Sequence, residues 1–376
     1  MKRNTVLLAL AVLLFAAGFA SAGGQKGEEK LYLGLAAPLT GDSAMYGETV
    51  RDGVVFAVDE LNAAGGIKGK KIELVIQDDK GDPKEAAMVA QKLAEDKRLF
   101  AVIGHVNSSC TLAALPIYRD AGLTVLNTSS SAEKITQLGY SHFFRTVIHD
   151  GLQGPMMVKH AVQNLGHGRL ACMVANSDYG LGLLGNAKTA LQKYGGSIVA
   201  SETYVPSSDK DFTPQLTKIR AARPDCMLIL GDYNEAGLII RQMKVLGLAI
   251  DRVTPAACSN QAMIDLAGAD AAEGTFLLGY WDPEKPTALV QDFVKKYKAK
   301  HNVEPDERNA YGYEIPYILK MAIEKGATRE NLASVLRSIE FNGPTGITAF
   351  DEKGDVTEKM QMVFVVRSGK FASWVK

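Results

Sequence analysis

Apolar and polar positions succeed one another along the chain in a way that predicts alternating strands and helices. An apolar run at 31–36 predicts a strand, and the stretch 46–64 has the apolar spacing of an amphipathic helix that Gly65 and Gly66 end. The pattern continues through strands at 72–77, 100–104 and 123–127 and helices at 83–96 and 109–121. This βαβαβαβ order predicts a parallel sheet with helices on both faces.

A second run of the same kind begins near residue 151. It predicts helices at 151–164, 180–194, 212–222 and 235–246 and strands at 170–176, 197–203, 226–230 and 253–257. The tail is predicted as helices at 288–301, 311–325 and 329–339 and strands at 346–350 and 360–366. Because 376 residues exceed one ordinary hydrophobic core, we expect two parallel-sheet lobes that share this tail.

The first residues have the pattern of a secretory signal peptide. Lys2 and Arg3 precede an uncharged apolar run at 6–20, and Ala20-Ser21-Ala22 forms an A-x-A cleavage site. The run is shorter than the roughly 18 to 20 residues that cross a bilayer as a helix. The sequence therefore predicts cleavage after Ala22 and export to the periplasm, with an uncut membrane anchor as the alternative.

Charge and cysteine content exclude several classes of partner. The chain has 42 basic and 42 acidic residues, and removal of Lys2 and Arg3 leaves a net charge of −2, so nucleic acid and anionic membranes are not predicted partners. None of the four cysteines has the spacing of a metal or redox motif, and their pairing stays open: Cys110, Cys172, Cys226 and Cys258. Cys172 and Cys226 lie in apolar runs typical of buried thiols.

Motifs for catalysis are weak in this chain. The glycines at 180, 182 and 185 match a dinucleotide-binding fingerprint, but three residues separate the preceding strand from the first glycine, which favours an ordinary helix start. Two S-x-x-K matches, at Ser131 and Ser207, lack the companion motifs of penicillin-recognising enzymes. The histidines lack ligand spacing. We therefore predict no catalytic residue, no cofactor and no metal, and a protein that is not an enzyme.

Small polar residues follow two neighbouring strands of the first predicted sheet. Ser108 and Ser109 lie where the strand at 100–104 gives way to a helix, and Ser129 and Ser131 follow the strand at 123–127. Backbone N–H groups at a helix start bind anions, and open parallel sheets bind ligands at the carboxyl ends of their strands. Plain helix capping is the alternative for any one of these residues. Together they predict a small polar binding site.

Aromatic residues stand at corresponding strand ends elsewhere in the chain: Tyr46, Tyr179, Tyr233 and Trp281. Each alone is typical of packing. Together they predict apolar walls around a polar anchor, which is the usual composition of a small-molecule cleft.

Several motifs resemble those of the leucine/isoleucine/valine-binding protein family, the solute receptors of branched-chain-type ABC importers. They are Ala37-Pro38-Leu39-Thr40-Gly41, Asn62 to Gly69, Asp78-Asp79, Val102 to His105, Phe144-Arg145-Thr146, Asp178-Tyr179-Gly180 and Phe350 to Asp355. The resemblance implies the α/β type I periplasmic binding protein fold, with two doubly wound lobes joined by three hinge crossovers. It places lobe I at 29–147 plus 282–358 and lobe II at 150–279 plus 361–376.

The resemblance also implies roles for site residues. A ligand carboxylate would meet Ser108 and Ser131, and an ammonium would meet the backbone carbonyl of Ser129, the Ser131 hydroxyl and an acid from lobe II. The walls would come from Tyr46, Tyr179 and Tyr233. Ala256 occupies the position of the acid, so either Asp232 or Asp178 replaces it or the ligand has no ammonium. The cysteine pair of close relatives is absent, since Gly81 and Asn107 stand there.

The function that the resemblance implies is that of a monomeric periplasmic receptor for a small carboxylate-bearing solute, a branched-chain or other aliphatic amino acid, which a membrane permease then accepts. A receptor for an amide, urea or short carboxylic acid is an alternative within the same fold. A ligand-sensing subunit for a chemoreceptor or kinase is an alternative of another class.

Overall fold

The computed structural model describes residues 29–375, so the predicted signal peptide at 1–22 lies outside the described residues. The first sheet contains β1 (Lys30–Ala37), β2 (Lys71–Asp78), β3 (Leu99–Gly104), β4 (Val125–Asn127) and β5 (Phe143–Arg145). All of its pairings are parallel, in the order β2-β1-β3-β4-β5. The doubly wound first lobe predicted from the sequence is confirmed.

Helices cover both faces of this sheet: α1 (Ala44–Ala63), α2 (Pro83–Glu95), α3 (Ser108–Asp120) and the short α4 (Lys134–Gln137). Leu33 and Leu35 of β1 belong to the same buried cluster as Val54 of α1, whereas Ala36 belongs to the cluster of Leu93 in α2. Successive side chains of a strand point to opposite faces, so an almost uninterrupted apolar strand is what a sheet buried on both sides requires.

The second sheet has seven strands: β6 (Arg169–Ala175), β7 (Ser197–Tyr204), β8 (Cys226–Leu230), β9 (Asp251–Thr254), β10 (Thr275–Gly279), β13 (Met362–Arg367) and β14 (Lys370–Ser373). Their order is β14-β13-β10-β9-β8-β6-β7. The strands β6 to β10 are parallel, whereas β13 and β14 pair antiparallel at one edge. Strands β11 (Glu340–Gly343) and β12 (Gly346–Ala349) form a separate antiparallel pair.

The remaining helices are α5 (Asp150–Lys159), which runs on into a π-helical turn at His160–Asn164, α6 (Asp178–Tyr194), α7 (Thr213–Ala221), α8 (Tyr233–Val245), α9 (Gln261–Ala267), α10 (Ala269–Ala272), α11 (Ala288–His301), α12 (Glu307–Glu324) and α13 (Leu332–Leu336). A 3-10 turn spans Ala256–Cys258. Helix α12 packs against α1, so most of the tail completes the first lobe while β13 and β14 complete the second.

The structure differs from the sequence prediction at several elements. Strands β5, β10, β11 and β14 were not predicted, because each has only three to five residues and a short strand shows little periodicity. The helix predicted at 329–339 is reduced to α13. Helix α12 begins at Glu307 rather than at 311, because Asp306 accepts hydrogen bonds from the backbone of Arg308 and Asn309 and Asn309 caps Asp306 in return.

The chain passes between the sheets at three places. Residues 146–149 connect β5 to α5, residues 280–287 connect β10 to α11, and residues 357–361 connect the β12 region to β13. The family resemblance implies crossovers near residues 146–150, 279–282 and 358–361, and the three segments overlap these ranges, while the stated lobe boundaries stay a prediction.

The third crossing contains a fully buried ion pair. Lys359 Nζ lies 3.6 Å from Glu314 Oε2, and both side chains have no exposed surface. Glu314 also accepts hydrogen bonds from the Thr345 backbone N–H (2.6 Å) and hydroxyl (2.7 Å), and Lys359 donates to Thr348 Oγ1 (2.7 Å). Burial lowers the pKa of Lys359, opposed by Glu314. The charge of Lys359 therefore depends on the nearby Glu314 carboxylate.

Two further features concern the whole described chain. Within residues 29–375, none of the helices has the length and apolarity that a bilayer span requires. The four cysteines in this part of the chain are free and buried, which confirms the predicted environment of Cys172 and Cys226.

We expect Glu314→Gln to lower the free energy of unfolding by about 3 to 5 kcal/mol, because it leaves the Lys359 ammonium buried without a countercharge. Lys359→Met alone should also lower the free energy of unfolding. The double variant Glu314→Gln, Lys359→Met should lose less stability than the two single variants added together. Urea unfolding followed by circular dichroism measures both. A loss below about 0.5 kcal/mol for Glu314→Gln, as for an ordinary surface substitution, would contradict a charge-dependent pair.

Candidate functional site

A cleft of about 720 Å³ lies between the carboxyl ends of the two sheets. From the first lobe it is lined by the loops after β3 and β4, and from the second by residues that follow β6, β8, β9 and β10: Ser177, Tyr179, Asp232, Ala256 and Tyr280. This is the edge at which open α/β sheets bind ligands. The structure thus brings the two predicted serine clusters together with side chains from the opposite lobe.

Asn127 joins the ends of β3 and β4. Its amide donates to the His105 carbonyl (2.5 Å), and its Oδ1 accepts from the backbone N–H groups of Ser129 (2.9 Å) and Ser130 (2.7 Å). Ser130 points inward and donates to the His105 carbonyl at 3.0 Å. This side-chain turn leaves Ser129 and Ser131 lining the cleft, and their predicted contact with a ligand stays a prediction.

A buried arginine holds the same loop from behind. Arg145 has no exposed surface; its Nε donates to Asp355 Oδ1 (2.5 Å) and its Nη1 to the carbonyl of Ala132 (2.9 Å). Its Nη2 donates to Thr136 Oγ1 (2.9 Å). Because a buried guanidinium needs a partner for each donor, the backbone beside Ser131 is fixed in position.

Ser108 presents a free donor to the cleft. It is the first residue of α3, it is 5% exposed, and its Oγ accepts a hydrogen bond from the Ala132 N–H at 3.2 Å. Within the described residues no second side-chain bond is recorded for it, so its O–H can be donated to a bound molecule. The positive end of α3 lies at the same place, which favours an anionic group there.

Ser109 lines the cleft and bridges the two lobes. Its Oγ donates to Asp178 Oδ2 (2.9 Å) and accepts from the Asp178 N–H (3.3 Å). Lys134 of the first lobe adds an ion pair to Asp178 at 3.4 Å. Both hydrogen-bonding functions of this hydroxyl are therefore used between the lobes in this conformation.

Tyr46 and Tyr233 form an edge-to-face pair. Tyr46 lines the cleft, and its hydroxyl donates to the Ala257 carbonyl (2.5 Å) and accepts from the Tyr233 N–H (3.2 Å). Tyr233 is not among the lining residues; its ring meets that of Tyr46 edge-on, with centroids 4.8 Å apart. Tyr233 thus supports the wall that Tyr46 presents. Trp281 lies outside the cleft lining and packs on Phe293.

No charge is present at Ala256, which is in the cleft wall and donates its backbone N–H to Gln153 Oε1 at 2.8 Å. Of the two proposed replacements, Asp178 is bound to Ser109 and Lys134 and does not line the cleft. Asp232 does line it. Burial raises the pKa of Asp232 to about 7, assisted by Glu235 and opposed by Arg308.

Sequence reasoning missed several lining residues, among them Gln153, Tyr280, Glu307 and Arg308. It also missed Asp150, whose Oδ2 is buried without a hydrogen-bond partner and whose pKa burial raises to about 7. Asp150 follows the first crossing directly, and Glu307 and Arg308 begin α12. The Asp306–Asn309 capping box was the local sequence signal from which the start of α12 at Glu307, instead of 311, could have been predicted.

The two walls are in contact, so the cleft is closed. Besides the Ser109 and Tyr46 bridges, Lys210 pairs with Asp42 (2.9 Å), and Asn234 Nδ2 donates to the Asp42 carbonyl (2.5 Å). Within residues 29–375, no cluster of three or more His, Cys, Asp or Glu side chains has the arrangement of a metal site.

Comparisons with known proteins agree with this architecture. A family model described as periplasmic binding protein matches residues 30–370. The leucine-, isoleucine-, valine-, threonine- and alanine-binding protein of Pseudomonas aeruginosa is 34% identical over 362 residues, which cover 95% of both chains.

Two solved structures share the fold. LivJ from Streptococcus pneumoniae, a branched-chain amino acid transporter substrate-binding protein in complex with isoleucine, superposes with a TM-score of 0.86 and 29% identity over 92% of this chain and 99% of its own. The leucine-binding protein LivK from Thermotoga maritima superposes with a TM-score of 0.85 and 28% identity, over 92% of this chain and 98% of its own. These relatives are named for binding and not for catalysis. The chain therefore belongs to the periplasmic binding protein family and, within it, to the family of proteins named for the leucine/isoleucine/valine-binding protein.

Proposed function

We propose that this chain is the substrate-binding component of an ABC importer and closes on a small carboxylate-bearing solute, an α-amino acid. The observation that carries the proposal is the free Ser108 hydroxyl at the start of α3, beside Ser131, inside a cleft that both lobes enclose. The names of the relatives make aliphatic amino acids the first ligands to test. We propose further that the protein is exported after cleavage at Ala22, acts as a monomer and delivers its ligand to a membrane permease.

The carboxylate would lie against the start of α3. Ser108 can donate its O–H, and Ser131 lines the same wall and is held by Arg145 through the neighbouring loop. A carboxylate that accepts these bonds in an enclosed site gains charge-assisted hydrogen bonds, which are stronger than bonds between neutral groups.

The ammonium would be paired with Asp232. This carboxyl lines the cleft from lobe II, and no hydrogen bond ties it to a lysine or arginine in the described part of the chain. Burial raises its pKa to about 7, and Arg308 opposes that rise without forming an ion pair with it. A bound ammonium would supply a directly paired cation.

A solute without an ammonium is the second candidate, since Ala256 leaves the family's acidic position uncharged. A thermal-shift screen with leucine, its amide, urea and isovalerate separates the two. A ligand at about 100 times its Kd stabilises the folded state by about 2.7 kcal/mol, which shifts the melting temperature by several degrees. A response to isovalerate that leucine does not give favours the second candidate.

Ser108→Ala and Ser131→Ala should each weaken binding of the amino acid found by that screen at least tenfold, because each loses a charge-assisted hydrogen bond. Isothermal titration calorimetry measures the loss. Ser334→Ala, an exposed serine of α13, is the matched control and should leave affinity unchanged. Unchanged affinity in both cleft variants would refute the proposed carboxylate site.

Affinity for an α-amino acid should rise with pH between about 5.5 and 8. The proton on Asp232 competes with the ligand ammonium, so below the pKa of about 7 affinity falls by up to about tenfold per pH unit. Asp232→Asn should bind weakly and lose this dependence. Asp150→Asn is the control, because Asp150 has a similar pKa. A pH profile that persists in Asp232→Asn and disappears in Asp150→Asn would assign the ammonium to Asp150 instead.

The Ser109–Asp178 bridge should stabilise closure rather than contact the ligand. Ser109→Ala and Asp178→Ala should each raise the apparent Kd about fivefold, and the double variant should lose no more than the worse single variant, because both remove the same bond. Small-angle X-ray scattering should show a larger radius of gyration for the ligand-bound variants. Additive losses would instead support a direct ligand contact of Ser109, as the sequence predicted.

A further inference from the structure

One arginine of the cleft has a buried side-chain nitrogen without a hydrogen bond to any residue in the described part of the chain. Arg308 lies in the first turn of α12, lines the cleft and is 7% exposed. Its Nη1 is buried and makes no hydrogen bond, and among residues 29–375 no carboxylate lies within ion-pair distance of its guanidinium. The single recorded contact of the guanidinium is with the Tyr46 ring, whose centroid lies 4.0 Å from its Cζ.

The carboxylates around Arg308 are engaged by other groups. Asp306 accepts from the backbone N–H groups of Arg308 (2.9 Å) and Asn309 (3.0 Å), so it caps the helix. Glu307 accepts from the Tyr280 N–H at 2.9 Å. Asp232, the third acid that faces Arg308, is the residue assigned above to the ligand ammonium. These acids compensate the charge of Arg308 at a distance but do not fill its hydrogen-bonding positions.

A buried guanidinium nitrogen without a hydrogen bond is expensive to maintain, since its N–H donors have lost their water. An aliphatic ligand side chain could not accept a hydrogen bond, so Arg308 Nη1 would stay unpaired after the lobes close. The ring of Tyr46 holds the guanidinium plane on one side, which orients the donors instead of neutralising them. A planar carboxylate is the group that matches this fork of donors.

We propose that the cleft selects an acidic amino acid, whose side-chain carboxylate is bound by Arg308 while its α-carboxylate is bound at Ser108 and Ser131. This inference rests on the proposed function and makes Arg308 the residue that determines specificity. The cleft volume of about 720 Å³ leaves room for a side chain that reaches beyond the serine wall.

The test is calorimetric titration of the mature protein with L-glutamate, L-aspartate, L-glutamine and L-leucine. Wild-type protein should bind one of the two acids more tightly than glutamine or leucine. Arg308→Met should lower the affinity for that acid at least tenfold and change the affinity for leucine by less than threefold. Arg308→Lys should retain part of the affinity for the acid. Arg98→Met removes an exposed arginine that stacks on Tyr32 outside the cleft and is the matched control.

Thermal unfolding of Arg308→Met and Arg308→Gln shows whether each variant is folded, and a folded variant of either kind suffices for the comparison. Tighter binding of leucine or glutamine than of both acids by wild-type protein, or equal losses for acid and leucine in Arg308→Met, would overturn the inference and leave the amino-acid receptor intact. Absence of binding to all four amino acids would refute the proposed function itself.

Discussion

The buried guanidinium of Arg145 is the interaction on which the binding side of the first lobe depends. It joins three separate stretches of chain: β5 that carries it, the loop around Ala132, and Asp355 near the third crossing. A backbone bridge between Arg145 and Asp355 runs beside the ion pair. Since a charge with no access to water cannot be left unpaired, the loop of serines and the route toward lobe II hold each other in place.

This arrangement explains why two stretches far apart in the sequence form part of one family resemblance. Phe144-Arg145-Thr146 and Phe350 to Asp355 are neither ligand contacts nor catalytic motifs, and the described structure pairs them. Phe144 packs edge-on against Phe350, with ring centroids 5.2 Å apart, directly beside the ion pair. The serine loop on one side and the approach to the third crossing on the other are therefore parts of a single buried unit.

Strand and helix order, the two-lobed fold and the serine wall could be predicted from the sequence, because they follow from apolar periodicity and from small polar residues at strand ends. The prediction did not extend to contacts between the lobes. Nothing local in the sequence shows that Ser109 meets Asp178 or that Tyr233 supports Tyr46 instead of lining the cleft. Arg308 was missed for the same reason. Its buried Nη1 is seen to lack a hydrogen bond only once α1 and α12 are packed together.

The four buried, unpaired cysteines have a consequence for the stability of this chain. Burial raises the pKa of each thiol, to about 12 for Cys172, so the thiols stay protonated and unreactive in the folded protein. Residues 29–375 contain no disulfide. A reducing agent therefore has no disulfide to break in this part of the chain, and we expect its stability not to depend on one.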